Sequence, residues 1–223
     1  MELLTAMQER HSVRNYANQP IESEKTAALQ ALIDECNRDG GLHIQLVLNE
    51  PKAFDGFMAH YGKFSGVKNY VALIGKKRDN SEEKIGYYGE KIVLHAQMLG
   101  LNTCWVAMTY KKIKTAFNLS DGEKLYCVLA LGYGVTEGVK HRDKALEEVS
   151  KSEVAPTPDW FVSGVKAALL APTAMNQQKF YFSLLNENSV AAATKKGFYS
   201  KIDLGIAKYH FEIGAGKDRF KWL

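Results

Sequence analysis

"LLAPTAMNQQKFYF", residues 169–182, carries an apolar helical run through a proline and a group of amides into an alternating strand-like segment. Pro172 cannot continue the helix, because it lacks the N–H and its ring clashes with the turn before it. Phe180 and Phe182 then alternate with Tyr181, the period of a strand with one buried face. The same helix-then-strand order occurs 137 residues earlier. Laying Ile21–Glu50 over Pro158–Glu187 without a gap puts "AALQALI" on "GVKAALL" and "IQLVLNE" on "YFSLLNE" with apolar positions largely in phase. With Gly100 placed on Gly214, "GEKIVLHAQMLG" lies over "DLGIAKYHFEIG", two amphipathic helices each closed by glycine. One such match is commonplace between amphipathic helices. Two in the same order point to an α+β chain of two related halves.

Between these anchors the pattern predicts a helix over Ser23–Cys36, with Ser23 as N-cap, and a strand at "HIQLVLN". A short helix around Phe54–His60 and a strand at "KNYVALIG" follow, then a long helix over Glu82–Leu99 that ends at Gly100. "NTCWVAM" reads as a strand and "KKIKTAF" as a short helix. "KLYCVLALGYG" is so uniformly apolar that it belongs in the middle of a sheet. The first half thus spans about 1–134, a polar connecting segment with Pro156 and Pro158 about 135–157, and the second half about 158–223. The fold expected is a mainly antiparallel mixed sheet flanked by helices.

With 223 residues, 46% of them hydrophobic, the chain can bury a substantial core. Lys and Arg number 29 against 25 Asp and Glu, with both signs interspersed, which argues against a nucleic-acid partner. Cys36, Cys104 and Cys127 lack metal-ligand or CxxC spacing and read as reduced, buried thiols, and no metal is expected. The N-terminus does not read as a signal peptide and no apolar run approaches a membrane span, so a cytoplasmic protein without a membrane partner is expected.

Three segments carry candidate chemistry. In "ERHSVRNY", Arg10, Ser12 and Arg14 stand at i, i+2 and i+4, so in extended chain two guanidinium groups and a hydroxyl face one side. That donor set matches phosphate oxygens, although a solvated basic turn has the same spacing. In "APTAMNQQ", Asn176 and Gln178 can read the edge of a planar heterocycle, and small Ala174 lets a flat ring approach; as turn formers they would do neither. In "GVKHRDKALEEV", Lys140, His141, Arg142 and Lys144 can close an anion site, though charge runs are usually solvated. The remaining histidines, His43, His60, His95 and His210, read as packing or surface residues.

In this order the segments resemble the FMN-dependent nitroreductase family: Arg-x-Ser-x-Arg before a helix, "GLNTCWV" after a long helix, and a basic segment followed by "ALEEV". Family members carry an AP-S/T-x-x-N-x-Q motif after the helix that follows Arg-Ser-Arg. Here "APTAMNQQ" holds it in the second half, while the first half has "DECNRDGG" at Asp34–Gly41, and the second-half counterparts of Arg10, Ser12 and Arg14 are Glu147, Val149 and Lys151. The chain therefore looks like a family homodimer fused into one polypeptide and pared to one site, similar to the Thermotoga maritima type of nitroreductase.

The resemblance implies FMN as cofactor and a monomeric intrachain pseudo-dimer. It places Arg10, His11, Ser12 and Arg14 on the FMN phosphate and adjacent ring edge, with Arg142 and Lys140 reaching the phosphate from the far side. Pro172, Thr173, Ala174, Asn176 and Gln178 would contact the ribityl chain and isoalloxazine, and Val106, Ala107 and Met108 would approach the N5 side. The implied activity is ping-pong oxidoreduction: NADH or NADPH reduces the flavin, a nitroaromatic or quinone-type small molecule accepts the electrons, and no protein acid or base is essential. A flavin-binding storage, sensing or interaction protein is the alternative.

Overall fold

In chain order the elements are α1 (Leu3–Glu9), α2 (Ser23–Gly40), β1 (Gln45–Val47), α3 (Phe57–Tyr61), β2 (Asn69–Lys76), α4 (Ser81–Met98), β3 (Asn102–Val106) and β4 (Glu123–Gly132). There follow α5 (Leu146–Val149), β5 (Ser150–Ser152), α6 (Asp159–Leu169), β6 (Phe180–Asn186), β7 (Ser189–Thr194), α7 (Ser200–Ala215) and β8 (Lys221–Trp222). The computed structural model describes residues 1–223, and these divide into two units. One comprises Met1–Ser81 and Lys91–Lys140, the other Glu82–Glu90 and His141–Leu223. No helix is long and apolar enough to cross a membrane.

The first unit is built on a four-stranded antiparallel sheet in the order β1-β2-β4-β3. The apolar "KLYCVLALGYG" segment is β4, paired on both edges, as a strand with two buried faces must be. Val13, Tyr16, Phe54, Phe64, Tyr70, Ala72, Cys104 and Val128 share one core cluster of this unit. Helix α4 stops at Met98 because Gly100 takes a left-handed φ of 75°, letting Leu101 N–H reach the Ala96 carbonyl at 2.9 Å.

The second unit holds the sheet β5-β6-β7-β8, with β6 and β7 antiparallel and both outer strands parallel to their neighbours. Phe161, Phe182 and Phe211 pack there with Phe220 and Trp222. Apart from α3, which the second unit lacks between β6 and β7, the series α2-β1-β2-α4-β3 and α6-β6-β7-α7-β8 run in the same order. The fold is α+β, with sheets flanked by helices.

Four sequence expectations change. "KKIKTAF" forms turns rather than a helix: Lys111 N–H is bonded to the Ala53 carbonyl and Phe117 is buried, and so short a helix has little stability of its own. Helix α2 starts at Ser23 but Glu22 occupies the N-cap, and no side chain caps the end. The segment expected to connect the halves contributes α5 and β5, the latter an edge strand with Ser150, Lys151 and Ser152 opposite Phe182, Ser183 and Leu184. Consequently Glu147–Lys151 is no topological counterpart of Arg10–Arg14, because Ser12 bridges Thr103 in β3 whereas β5 lies beside β6, the strand aligned with β1.

Candidate functional site

The segment His11–Tyr16 of the first unit runs extended along the end of its sheet. Val13 N–H donates to the Thr103 carbonyl at 3.0 Å, Tyr16 N–H to Ser65 at 3.0 Å, and Ser65 N–H back to Arg14 at 2.9 Å. Extended backbone sends alternate side chains to opposite sides, and Val13 is accordingly buried in the core. Arg10 is buried as well, Ser12 half-buried and Arg14 exposed, so the three rise from the interior to the surface.

All three bear electrostatically on Cys104 of β3. Burial pushes the Cys104 thiol up, while Arg14, a hydrogen bond from Ser12 and Arg10 each pull it down. Two positive charges and a hydroxyl therefore act at one place, the donor chemistry a phosphate requires. His11 donates from Nδ1 to the Arg10 carbonyl at 2.7 Å, assigned on geometry, which directs Nε2 away from its own backbone. Gly138 covers the segment with a left-handed φ of 76°, and a Cβ there would stand 2.8 Å from that of His11 and 3.0 Å from the Ser12 carbonyl oxygen. Only glycine lets this loop, which ends in exposed Lys140, lie so close.

Tyr16, which sequence reasoning passed over, sits beneath this set. Its Oη is buried without a hydrogen-bond partner, and burial first, then Cys104, raises the phenol well above its ordinary range. Val106 closes β3 and is buried, Ala107 is half-buried and Met108 is exposed where the chain bends away.

In the second unit the structure joins two segments that are separate in sequence. The Asn176 amide donates to the Arg142 carbonyl at 2.8 Å, and Gln178 Nε2 donates to the same carbonyl and to Asn176 Oδ1, both at 2.8 Å. Gln178 Oε1 accepts from Lys144 N–H at 3.0 Å, and Lys144 Nζ reaches the Gln178 carbonyl at 3.0 Å. His141 Nε2 lies 2.9 Å from the Leu169 carbonyl at the end of α6. The Arg142 side chain itself is exposed.

This arrangement corrects the expectation for Gln178. Its amide is buried and both N–H groups and the carbonyl oxygen are already bonded within the protein, so it holds the His141–Lys144 segment rather than offering an edge to a ligand. Asn176 is partly engaged in the same way but stays exposed. Pro172 is buried, and Thr173 and Ala174 are half-buried, with the Thr173 hydroxyl accepting from Gln178 N–H at 3.1 Å.

Asp203, in the first turn of α7, was also missed. Its Oδ1 accepts from Ala174 N–H at 3.0 Å and its Oδ2 from Gln177 Nε2 at 2.6 Å. Burial pushes its carboxyl up to about 6, against those two hydrogen bonds. A single carboxylate inside the apolar run "KIDLGIA" is the signal that could have found it.

A family model described as "Putative TM nitroreductase" matches residues 2–215. No curated protein matches the chain. Among solved structures, a "putative nitroreductase" from Thermotoga maritima is 19% identical, covers 98% of this chain and 85% of its own, and superposes with a TM-score of 0.70. A "putative nitroreductase in complex with FMN" from Desulfovibrio desulfuricans is 16% identical, covers 71% and 99%, with a TM-score of 0.55. A "Putative NADH dehydrogenase/NAD(P)H nitroreductase" from Bacteroides thetaiotaomicron is 20% identical, covers 66% and 95%, with a TM-score of 0.51. At such identities the likeness is one of fold.

Proposed function

Because the chain belongs to the TM nitroreductase family, we propose that it is an FMN-dependent oxidoreductase that takes hydride from NADH or NADPH and reduces nitroaromatic or quinone-type acceptors. The observation that carries this reading is the extended segment held beside Thr103 of β3, whose Arg10, Ser12 and Arg14 all bear on Cys104 and have the donor chemistry of a phosphate site. His11 would add its Nε2. The buried Tyr16 hydroxyl beneath supplies a further uncommitted polar group. Bound there, FMN would supply the two-electron redox chemistry, and the protein would supply binding, orientation and charge.

This chain's own residues do the rest. Arg10 and Arg14 neutralise the phosphate, and Ser12 turns its hydroxyl from Cys104 to a phosphate oxygen. Pro172, Thr173, Ala174 and Asn176 of the second unit keep the ribityl and ring roles that the resemblance implies as a separate assignment, and Arg142 has an exposed side chain. Lys140 and the backbone of Val106–Met108 retain their implied roles as separate assignments. The pseudo-dimer reading draws support from the repeated element order.

Purified protein should show a flavin absorption spectrum that bleaches on anaerobic addition of NADH or NADPH and returns with a nitroaromatic or quinone. Replacing both Arg10 and Arg14 by Ala should weaken FMN binding by at least roughly a hundredfold, since each charge-assisted hydrogen bond is worth about 1.5–3 kcal/mol. Unchanged FMN content in that variant would overturn the phosphate assignment. A yellow protein that neither nicotinamide reduces would overturn the oxidoreductase.

A further inference from the structure

The backbone around Asp203 is held against its preferences. Met175, Asn176, Gln178 and Tyr199 all take left-handed φ values, of 51°, 52°, 42° and 57°. Non-glycine residues adopt this region uncommonly, and several together persist only where surrounding contacts impose them. Arg142 and Lys144 hold Asn176 and Gln178 from one side, and Asp203 holds the start of the turn from the other. Asp203 Oδ1 binds Ala174 N–H at the entry to the first turn, Oδ2 binds the Gln177 amide inside it, and its own N–H donates to the Tyr199 carbonyl at 2.9 Å. The Gln177 amide also donates to the Phe198 carbonyl at 2.7 Å, so the two turns share a single tie.

We propose that Asp203 is a positioning residue, whose buried carboxylate holds the Ala174–Gln178 turn and the Phe198–Tyr199 corner in their left-handed conformations and thereby presents Thr173, Ala174 and Asn176 to the flavin. The last part rests on the reading of this turn under Proposed function. The carboxylate suits the task because it is acceptor-only when ionised and faces two donors. Protonation puts a hydrogen on one oxygen, which then opposes the Gln177 N–H instead of accepting from it. From the turn, the groups that meet the carboxylate are the neutral Gln177 amide and the Ala174 N–H; no charged side chain meets it from the corner or from α7. Its titration is therefore its own, and burial moves it into an accessible range, to about 6.

The test compares the intact wild-type chain with Asp203→Asn, which keeps the shape and one acceptor but carries a permanent donor, and with Asp203→Glu, which keeps the charge. Amide hydrogen exchange over 173–178 and 198–200 is followed at pH 8 without added FMN, where the carboxylate is ionised, and FMN affinity is titrated at the same pH. Exchange should be about tenfold faster in Asp203→Asn than in wild type, with FMN affinity several-fold weaker, and Asp203→Glu should fall between the two. Equal protection in wild type and Asp203→Asn overturns the proposal. Loosening with FMN affinity unmoved overturns the presentation to flavin while leaving Asp203 as the tie between the turns. Should Asp203→Asn fail to fold, Asp203→Glu decides the matter: exchange should quicken over these two stretches alone, and no change there overturns the tie.

Discussion

Asp203 shows how a single carboxylate can order a turn at the expense of stability. Its pKa rises from an ordinary 3.8 to about 6 in the folded chain, chiefly through burial. The unfolded chain then loses its proton first as pH rises, so the folded state holds more protons between about pH 4 and 6 and stability falls across that window. A shift of about two units corresponds to roughly 3 kcal/mol. Urea denaturation should show the stability of wild type relative to Asp203→Asn declining by about that amount from pH 4 to 7; a constant difference would contradict it. Gln178 acts in the opposite sense, satisfying groups instead of straining them. Replacing it by Ala should strip Lys144 N–H of its acceptor and the Arg142 carbonyl of one donor, for a loss of about 2–3 kcal/mol in the same measurement. At this scale the sequence displayed the donor types but not their engagement. Asn176 and Gln178 look alike along the chain, and only the return of Arg142–Lys144 onto the turn separates a buried clamp from an exposed amide.

Helices α4 and α7 cross through glycine within the second unit. A Cβ on Gly205 would overlap the Glu83 carbonyl, and one on Gly86 the Ile202 carbonyl, each the residue three before the opposing glycine. The reciprocity aligns "SEEKIG" of α4 with "SKIDLG" of α7, an offset of 119 (205 − 86), where matching the terminal glycines Gly100 and Gly214 gives 114. The sequence match found the right pair of helices but the wrong register, because amphipathic helices agree at several shifts. Around the crossing, Tyr87 donates to Glu212 at 2.5 Å, Lys208 pairs with Glu83 at 2.6 Å, and buried His210 lies 2.9 Å from buried Glu90 and 3.2 Å from the Ala167 carbonyl. Gly86→Ala or Gly205→Ala must push two backbones apart and should each destabilise the protein by at least about 2 kcal/mol. Gly56→Ala has open space and should change thermal stability little, serving as the control. Equal effects at all three positions would mean that the crossing relaxes without strain.

For the whole molecule, the reciprocal crossing is what a two-fold contact between identical chains would show, here between two segments of one chain. A chain that already contains both partners of such a contact should behave as a monomer carrying one FMN. Light scattering combined with flavin absorbance checks this, and a stable dimer with two FMN per chain would contradict it. The sequence by itself determined the class of fold, the main helices and strands of the first half, the central place of β4 and the family, because these follow from hydrophobic period, glycine and proline punctuation and short motifs that depend on neighbours in the chain. Tertiary structure alone decided that β5 joins β6, that Tyr16 and Cys104 lie with the arginine set, that Gln178 clamps Lys144, and that Asp203 ties two strained turns. Each of these depends on burial and on hydrogen-bond partners far apart in sequence, and neither is written in the local pattern of a chain.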